Sequence, residues 1–170
     1  MSAEFSTCSS GVRQSPTNIQ TKLAAASPGS VLTNYGDTMV AIKNNGHTIQ
    51  VDYDGGSRAY FNGEPYNLLR FHFHTPIEHT VDNAPYQMEM HLIHQNADGG
   101  LGVIGMLFVE DEENPMLAKF WDFLPRKAGE VSSNLRVNIT GMFPELLRIR
   151  PPIPVHAPFC ALMQILTLEK

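Results

Sequence analysis

The chain has 170 residues, 42% of them hydrophobic and 17% charged, with a net charge of −5. That balance belongs to one folded domain rather than to a disordered or fibrous chain, and a domain of this length buries roughly 70% of the surface its unfolded chain exposes. The acidic balance leaves no basic footprint for nucleic acid or an anionic membrane surface, and no apolar run approaches the ~20 residues of a membrane span.

The first five residues, Met1-Ser2-Ala3-Glu4-Phe5, carry neither the basic head nor the apolar stretch of a secretory leader, so none is expected. Thirteen glycines and twelve prolines then punctuate short β-like runs. Residues 39–43 and 48–53 flank Asn45-Gly46, which predicts a tight hairpin because both turn positions tolerate positive φ. Residues 67–75, 86–94 and 101–109 read as further strands, the last two antiparallel across the intervening Asn96-Ala97-Asp98-Gly99-Gly100. Asn114 as cap, Pro115 at the first position and Leu117, Phe120, Trp121 and Leu124 at helical spacing predict an amphipathic helix that packs on a sheet and ends at Pro125. Beyond Pro144 the character changes. Arg148-Ile149-Arg150-Pro151-Pro152-Ile153-Pro154 fits neither helix nor strand, since three prolines remove ladder donors, and residues 162–168 are expected to return as a strand. Without a repeat or linker, one domain over residues 1–170 is expected.

The two cysteines, Cys8 and Cys160, exclude a disulfide scaffold and a thiolate zinc cluster; they form one bridge or stay two thiols. Of seven histidines, His47, His72, His74, His79, His91 and His94 fall within residues 47–94 and His156 lies apart. On a strand, residues two apart share a face, so His72 and His74 project together while Phe71 and Phe73 point into the core. In Glu89-Met90-His91-Leu92-Ile93-His94, the residues Glu89, His91 and Ile93 share one face. If these two strands are antiparallel neighbours, His91 meets His72 and His74. Three imidazoles on rigid strands with no fourth protein ligand describe a catalytic zinc site with one position left for water. Glu89 is placed to accept the other ring N–H of a ligand and fix its tautomer.

Together these residues carry a resemblance. Arg13-Gln14-Ser15-Pro16-Thr17-Asn18-Ile19, Asn45-Gly46-His47, the run from Tyr66 to His74, Glu78-His79-Thr80-Val81-Asp82, Glu89 to His94 and Leu101-Gly102-Val103-Ile104-Gly105 are similar in order and content to α-class carbonic anhydrases over about residues 8–144. The resemblance implies a mainly β (α+β) fold, a largely antiparallel twisted central sheet with a few peripheral helices. It implies one zinc ion per chain on His72, His74 and His91, and a zinc lyase that reversibly hydrates carbon dioxide to bicarbonate and a proton by attack of zinc-bound hydroxide. His47 matches the proton shuttle, a role suited to an imidazole that titrates near neutral pH. Ile93 and Val103 match the apolar wall against which carbon dioxide would sit, Glu89 the carboxylate behind the third ligand, and Glu78 a buried carboxylate that holds a pocket threonine. Sulfonamide-type inhibitors are expected to bind.

The chain departs from the family pattern in places. Arg70 stands where the family usually has a glutamine that hydrogen-bonds the first ligand; an arginine accepts no hydrogen bond and adds positive charge, so weaker metal binding is expected. Thr17 replaces a usual isoleucine. In the tail of residues 145–170, Pro154-Val155-His156-Ala157-Pro158-Phe159-Cys160 matches the family's threonine-containing segment only at Pro158 and Cys160, with His156 at the threonine's place. A truncated or alternatively spliced product, or an erroneous gene model, is the expectation for the two ends. Cys8 and Cys160, which the resemblance pairs as in secreted relatives, and the Asn138-Ile139-Thr140 acceptor hint at a secreted ancestry, whereas the sequence as written reads as cytoplasmic. Two other readings stand beside the enzyme: a catalytically impaired carbonic-anhydrase-like binding domain, and a cupin-type barrel in which His72, His74 and Glu78 hold the metal and His91 does not.

Overall fold

Nine strands hydrogen-bond into one sheet among the described residues of the computed structural model, which are 16–23, 30–110, 113–143 and the backbone of 164–168. In chain order the strands are β1 (Asn18–Ile19), β2 (Val31–Asn34), β3 (Thr38–Asn44), β4 (Ile49–Tyr53), β5 (Arg58–Phe61), β6 (Glu64–His74), β7 (Thr80–Val81), β8 (Met88–Gln95), β9 (Leu101–Phe108), β10 (Val131–Val137) and β11 (Gln164–Leu168). Among the described residues the only α-helix is α1 (Pro115–Trp121), with 3-10 turns at Thr21–Leu23 and Ile139–Met142. The sheet runs β10-β3-β4-β6-β8-β9-β11, and every pairing in it is antiparallel. Strand β6 is long enough that β4 and β5 share one of its edges, and β2 pairs with β5. This is the mainly β, largely antiparallel sheet that the resemblance implies. No helix among the described residues is long and apolar enough to cross a membrane.

The centre of the sheet is the β6–β8 ladder, where His72 faces His91, His74 faces Glu89 and Arg70 faces Ile93. The register shifts between Leu68 and Arg70. A bulge carries one extra residue and reverses the alternation beyond it. Leu68 therefore lies buried on the core side with Phe71, while Arg70, His72 and His74 take the opposite side. A strict period of two would have placed Leu68 among the histidines.

On the core side Phe71 packs edge-on against Phe120 of α1, ring centroids 5.8 Å apart, and Ile42, Val51, Met90, Leu92, Ile104, Met106 and Ile139 are fully buried around them. Truncating an aromatic in such a core costs on the order of 3–5 kcal/mol. Gly102 of β9 admits no side chain, because a Cβ there would lie 2.5 Å from the Phe61 ring.

Three local expectations are corrected. The helix stops at Trp121 with Asp122 as its cap, not at Pro125, and Leu124 lies outside it. Asn114 caps the start as expected, accepting from the backbone of Met116 and Leu117 at 2.9 and 3.1 Å. Trp121 is 54% exposed rather than part of the buried face; Leu117 and Phe120 are buried in the core, with Met116 and Leu124 packed against it. The hairpin after β3 is wider than a two-residue turn. Only Gly46 has positive φ (+87°), and Asn45 closes the loop instead by accepting from the backbone N–H of His47 and Thr48 at 2.9 and 2.8 Å, so Thr48 leaves the strand. Third, the strand expected at 86–94 spans Met88–Gln95. The tail strand forms over Gln164–Leu168, antiparallel to β9.

Candidate metal centre

Three imidazoles meet on the solvent side of the β6–β8 ladder. The ring centroids of His72 and His74 lie 4.8 Å apart, those of His72 and His91 5.4 Å, and those of His74 and His91 4.7 Å. One nitrogen from each comes within 4.8 Å of the others. Residues two apart on β6 supply the first pair and direct register supplies the third, so rigid backbone sets the convergence. Burial, reinforced by the neighbouring imidazoles and by the Arg70 charge, pushes His72 down to about 4, and burial lowers His74 although Glu78 opposes it. Both are thus neutral near pH 7 and offer the lone pair that a metal needs.

Two further observations concern fit to a metal ion. His74 Nε2 is buried and has no hydrogen-bond partner among the described residues, an arrangement that costs free energy unless a ligand completes it. His91 directs Nε2 at Glu89 Oε1, 2.7 Å away, which leaves Nδ1 as its metal-facing nitrogen. A three-imidazole set without a fourth protein donor among the described residues suits zinc with an open position.

Glu89 is only 2% exposed. Burial alone would raise its pKa, but hydrogen bonds from His91 and from the backbone of His79 and Glu78 outweigh it and hold the carboxyl at about 2. His79, Glu89 and His91 also form a compact buried donor group. The ring nitrogens lie only 2.6 and 2.7 Å from Glu89 Oε1, whereas donors around one tetrahedral ion at 2.0–2.1 Å stand about 3.3 Å apart. These are hydrogen bonds, not a second metal position. His79 is 2% exposed. No local pattern announces it, since its partner lies across a turn.

Glu78 departs from the buried carboxylate that the resemblance implies. Its side chain is 41% exposed, with Oε1 3.5 Å from His74 Nδ1 and Oε2 3.9 Å from His91 Nδ1, because the turn after His74 carries it to the rim of the histidine cluster. The described donor triad is His72, His74 and His91, so the cupin arrangement with Glu78 in place of His91 is not formed. Arg70 is exposed on the same side as His72; on the neighbouring β4, burial works to raise the Asp52 carboxyl, but hydrogen bonds from Lys43 and Gln50, the Lys43 charge and lastly the Arg70 charge hold it below the usual value. Ile93, half-buried, stands opposite Val103, which is 4% exposed; the pair continues the face of His91 as an apolar strip. His47 is exposed at the hairpin tip and lines a cavity of about 270 Å3 with Ile49, Phe73, Trp121 and Leu124. His94 lies on the core side, fully buried, with Nε2 2.8 Å from the Tyr35 hydroxyl and Nδ1 3.3 Å from the Gly102 carbonyl. Asn138 caps the following 3-10 turn by accepting from the backbone of Thr140 at 3.0 Å. Cys8, Arg13, His156, Pro158 and Cys160 lie outside the described residues.

The family model of eukaryotic-type carbonic anhydrases matches residues 2–148. A carbonic anhydrase of Neisseria gonorrhoeae is 36% identical over 149 residues, covering 87% of this chain and 59% of its own length. The solved complex of the α-carbonic anhydrase from Thermovibrio ammonificans with sulfanilamide superposes with a TM-score of 0.80 at 34% identity, over 85% of this chain and 65% of the other. Dioscorin DB3L of Dioscorea polystachya is 33% identical over 128 residues, 73% of this chain and 47% of its own, and a solved dioscorin complexed with ascorbate has a TM-score of 0.68 at 26% identity, covering 81% and 58%. The chain spans about half to three fifths of the length of the curated relatives it matches.

Proposed function

The chain belongs to the eukaryotic-type (α-class) carbonic anhydrase family, and on that premise we propose that it catalyses the zinc-dependent, reversible hydration of carbon dioxide to bicarbonate and a proton. One observation carries the reading: three imidazoles converge, one through a buried Nε2 that has no hydrogen-bond partner among the described residues. Zinc held by His72, His74 and His91 would supply a water deprotonated near neutral pH, an effect of which carbonic anhydrases are themselves the standard example.

The chain's own residues do the rest. Glu89 fixes the tautomer of His91 and so keeps its Nδ1 free of a proton. Ile93 and Val103 offer carbon dioxide an apolar surface beside the histidines. His47, exposed at the hairpin tip, takes the surplus proton from the site and passes it to buffer. Glu78 places negative charge at the rim, where its carboxylate faces His74 and His91. Sulfonamides would compete at this centre, as the sulfanilamide complex of the Thermovibrio enzyme suggests by analogy.

A second reading has its own support. Dioscorins are among the matched relatives, and the exposed Glu78 departs from the expected buried arrangement, which favours a carbonic-anhydrase-like binding domain of impaired turnover. Stopped-flow carbon dioxide hydration on zinc-loaded protein separates the two. The enzyme reading expects sulfonamide-sensitive hydration, and His47→Ala should slow it in dilute buffer with recovery on adding imidazole. Zinc uptake without hydration supports the impaired domain.

A further inference from the structure

On the reading that His72, His74 and His91 hold zinc, we infer that Arg70 is an anion-recruiting residue of that centre. Its guanidinium draws a small singly charged anion, of which bicarbonate is the one the reaction makes, to the end of the histidine row that lies away from His47.

The register lays one row of side chains across the solvent side of the sheet. Asp52 of β4 faces Arg70 of β6, Arg70 faces Ile93 of β8, and Ile93 faces Val103 of β9. The next row on that side holds Gln50, His72 and His91, about 7 Å further along the strands. Arg70 thus borders both the apolar strip and the metal ligands. Its side chain is exposed and, among the described residues, makes no ion pair and no hydrogen bond, although a carboxylate stands directly opposite. That carboxylate is already engaged. Asp52 Oδ2 pairs with Lys43 Nζ, and Oδ1 accepts from Gln50 Nε2 at 2.6 Å. The guanidinium therefore keeps its planar fork of N–H donors, a shape that matches two oxygens of a carboxylate-like anion.

Charge is also uneven along β6. Arg70 comes before the histidines, and the Glu78 carboxylate lies beyond them, with Oε1 3.5 Å from His74 Nδ1. His47 belongs to the Glu78 end, because the hydroxyl of Thr48 beside it donates to the Phe73 carbonyl. An anion is attracted at one end of the row and repelled at the other, while a proton meets the opposite field. Hydration of carbon dioxide releases one of each. Bicarbonate passes by Arg70, leaving or entering, and the proton goes toward His47.

The test uses Arg70→Gln, Arg70→Lys and Asp52→Asn in the full chain, each saturated with zinc so that altered zinc affinity does not enter. Thiocyanate and bicarbonate probe the anion site at pH 8, imidazole serves as a neutral ligand for the same metal, and isothermal calorimetry gives each dissociation constant. Arg70→Gln should weaken both anions roughly two- to fivefold at low ionic strength and leave imidazole unchanged. Arg70→Lys should keep most of the affinity, and Asp52→Asn should tighten the anions, because it removes the charge that opposes them. These differences should shrink as ionic strength rises. The titration needs no turnover, so it decides equally for an enzyme and for a domain of impaired turnover. Unchanged anion affinity in Arg70→Gln, with zinc bound, overturns the inference and leaves the metal reading standing. Weakening of imidazole along with the anions, or weaker anions in Asp52→Asn as well, would show a general disturbance of the face and also overturn it. A folded unaltered chain that takes up no zinc removes the metal reading and this inference together; zinc content, measured first, tells the two failures apart.

Discussion

His72 stands directly opposite His91 in the β6–β8 ladder, with ring centroids 5.4 Å apart and ring planes nearly perpendicular at 89°. That pairing ties the site to the register of the two central strands. A slip of one residue would carry His91 to the core side and bring Met90 or Leu92 to the histidines. The slip is opposed by the core itself, because Phe71, Met90 and Leu92 are fully buried in the observed register. The same hydrophobic contacts that form the fold therefore assemble the metal ligands.

Stability of the metal-free protein should fall steadily with acid. Burial holds His94 at about 4 and, with its neighbouring charges, His72 also at about 4, against 6.5 for an ordinary histidine. Between those values the unfolded chain binds protons that the folded chain refuses, so stability is full above about pH 6.5 and is lost toward pH 4. The fully buried His94 accounts for on the order of 3 kcal/mol of this. Glu89, held at about 2 against 4.5, adds its own loss at lower pH, as the pH falls through that interval. Urea unfolding at pH 7, 5.5 and 4 checks the expectation; a constant free energy over that range contradicts it.

Glu89→Gln should damage both the fold and the centre. An amide keeps one acceptor oxygen and presents an NH2 group to donors, so of the N–H groups of Glu78, His79 and His91 at least one is left buried and unpaired. A loss on the order of 1–3 kcal/mol follows for each such group, with zinc affinity lowered roughly ten- to a hundredfold. Urea unfolding and chelator competition measure the two effects. Zinc binding as tight as in the unaltered chain would contradict the role given to this carboxylate.

Arg70→Gln should move zinc binding in the other direction. The guanidinium depresses His72, though less than burial and the neighbouring imidazoles do, and it disfavours a cation on the same side of the sheet. Because Arg70 is exposed, salt screens it. Replacing it should tighten zinc by less than tenfold at low ionic strength, and the gain should shrink in high salt. A gain independent of salt would point instead to the hydrogen bond that glutamine can make with His72.

Much of this site was legible because its geometry is local or repeats with period two. His72-x-His74 on one strand and Glu89-x-His91 on the next need only an antiparallel neighbour to converge, and Phe71 and Phe73 mark the opposite side. Legibility ends where the structure depends on distant partners. His79 owes its position to β1, some sixty residues earlier in the chain, and its contact with Glu89 crosses a turn. The bulge between Leu68 and Arg70 left only an apolar Leu68-Leu69 pair as its trace. Leu124 follows the helical spacing and packs against the core, yet lies beyond the Asp122 cap, since apolar spacing marks what packs and not where the backbone hydrogen bonds end. The resemblance implies a buried Glu78, and its exposure is visible only once the turn after His74 is placed.

The most direct measurement of the metal centre is zinc content per chain after exhaustive dialysis of the metal-loaded protein, compared between the unaltered chain and His74→Ala. The variant removes a ring whose buried Nε2 has no hydrogen-bond partner among the described residues and leaves the core side of β6 untouched. The account expects close to one zinc per unaltered chain and close to none in the variant. Equal zinc in both, or none in the folded unaltered chain, would contradict a metal centre on His72, His74 and His91.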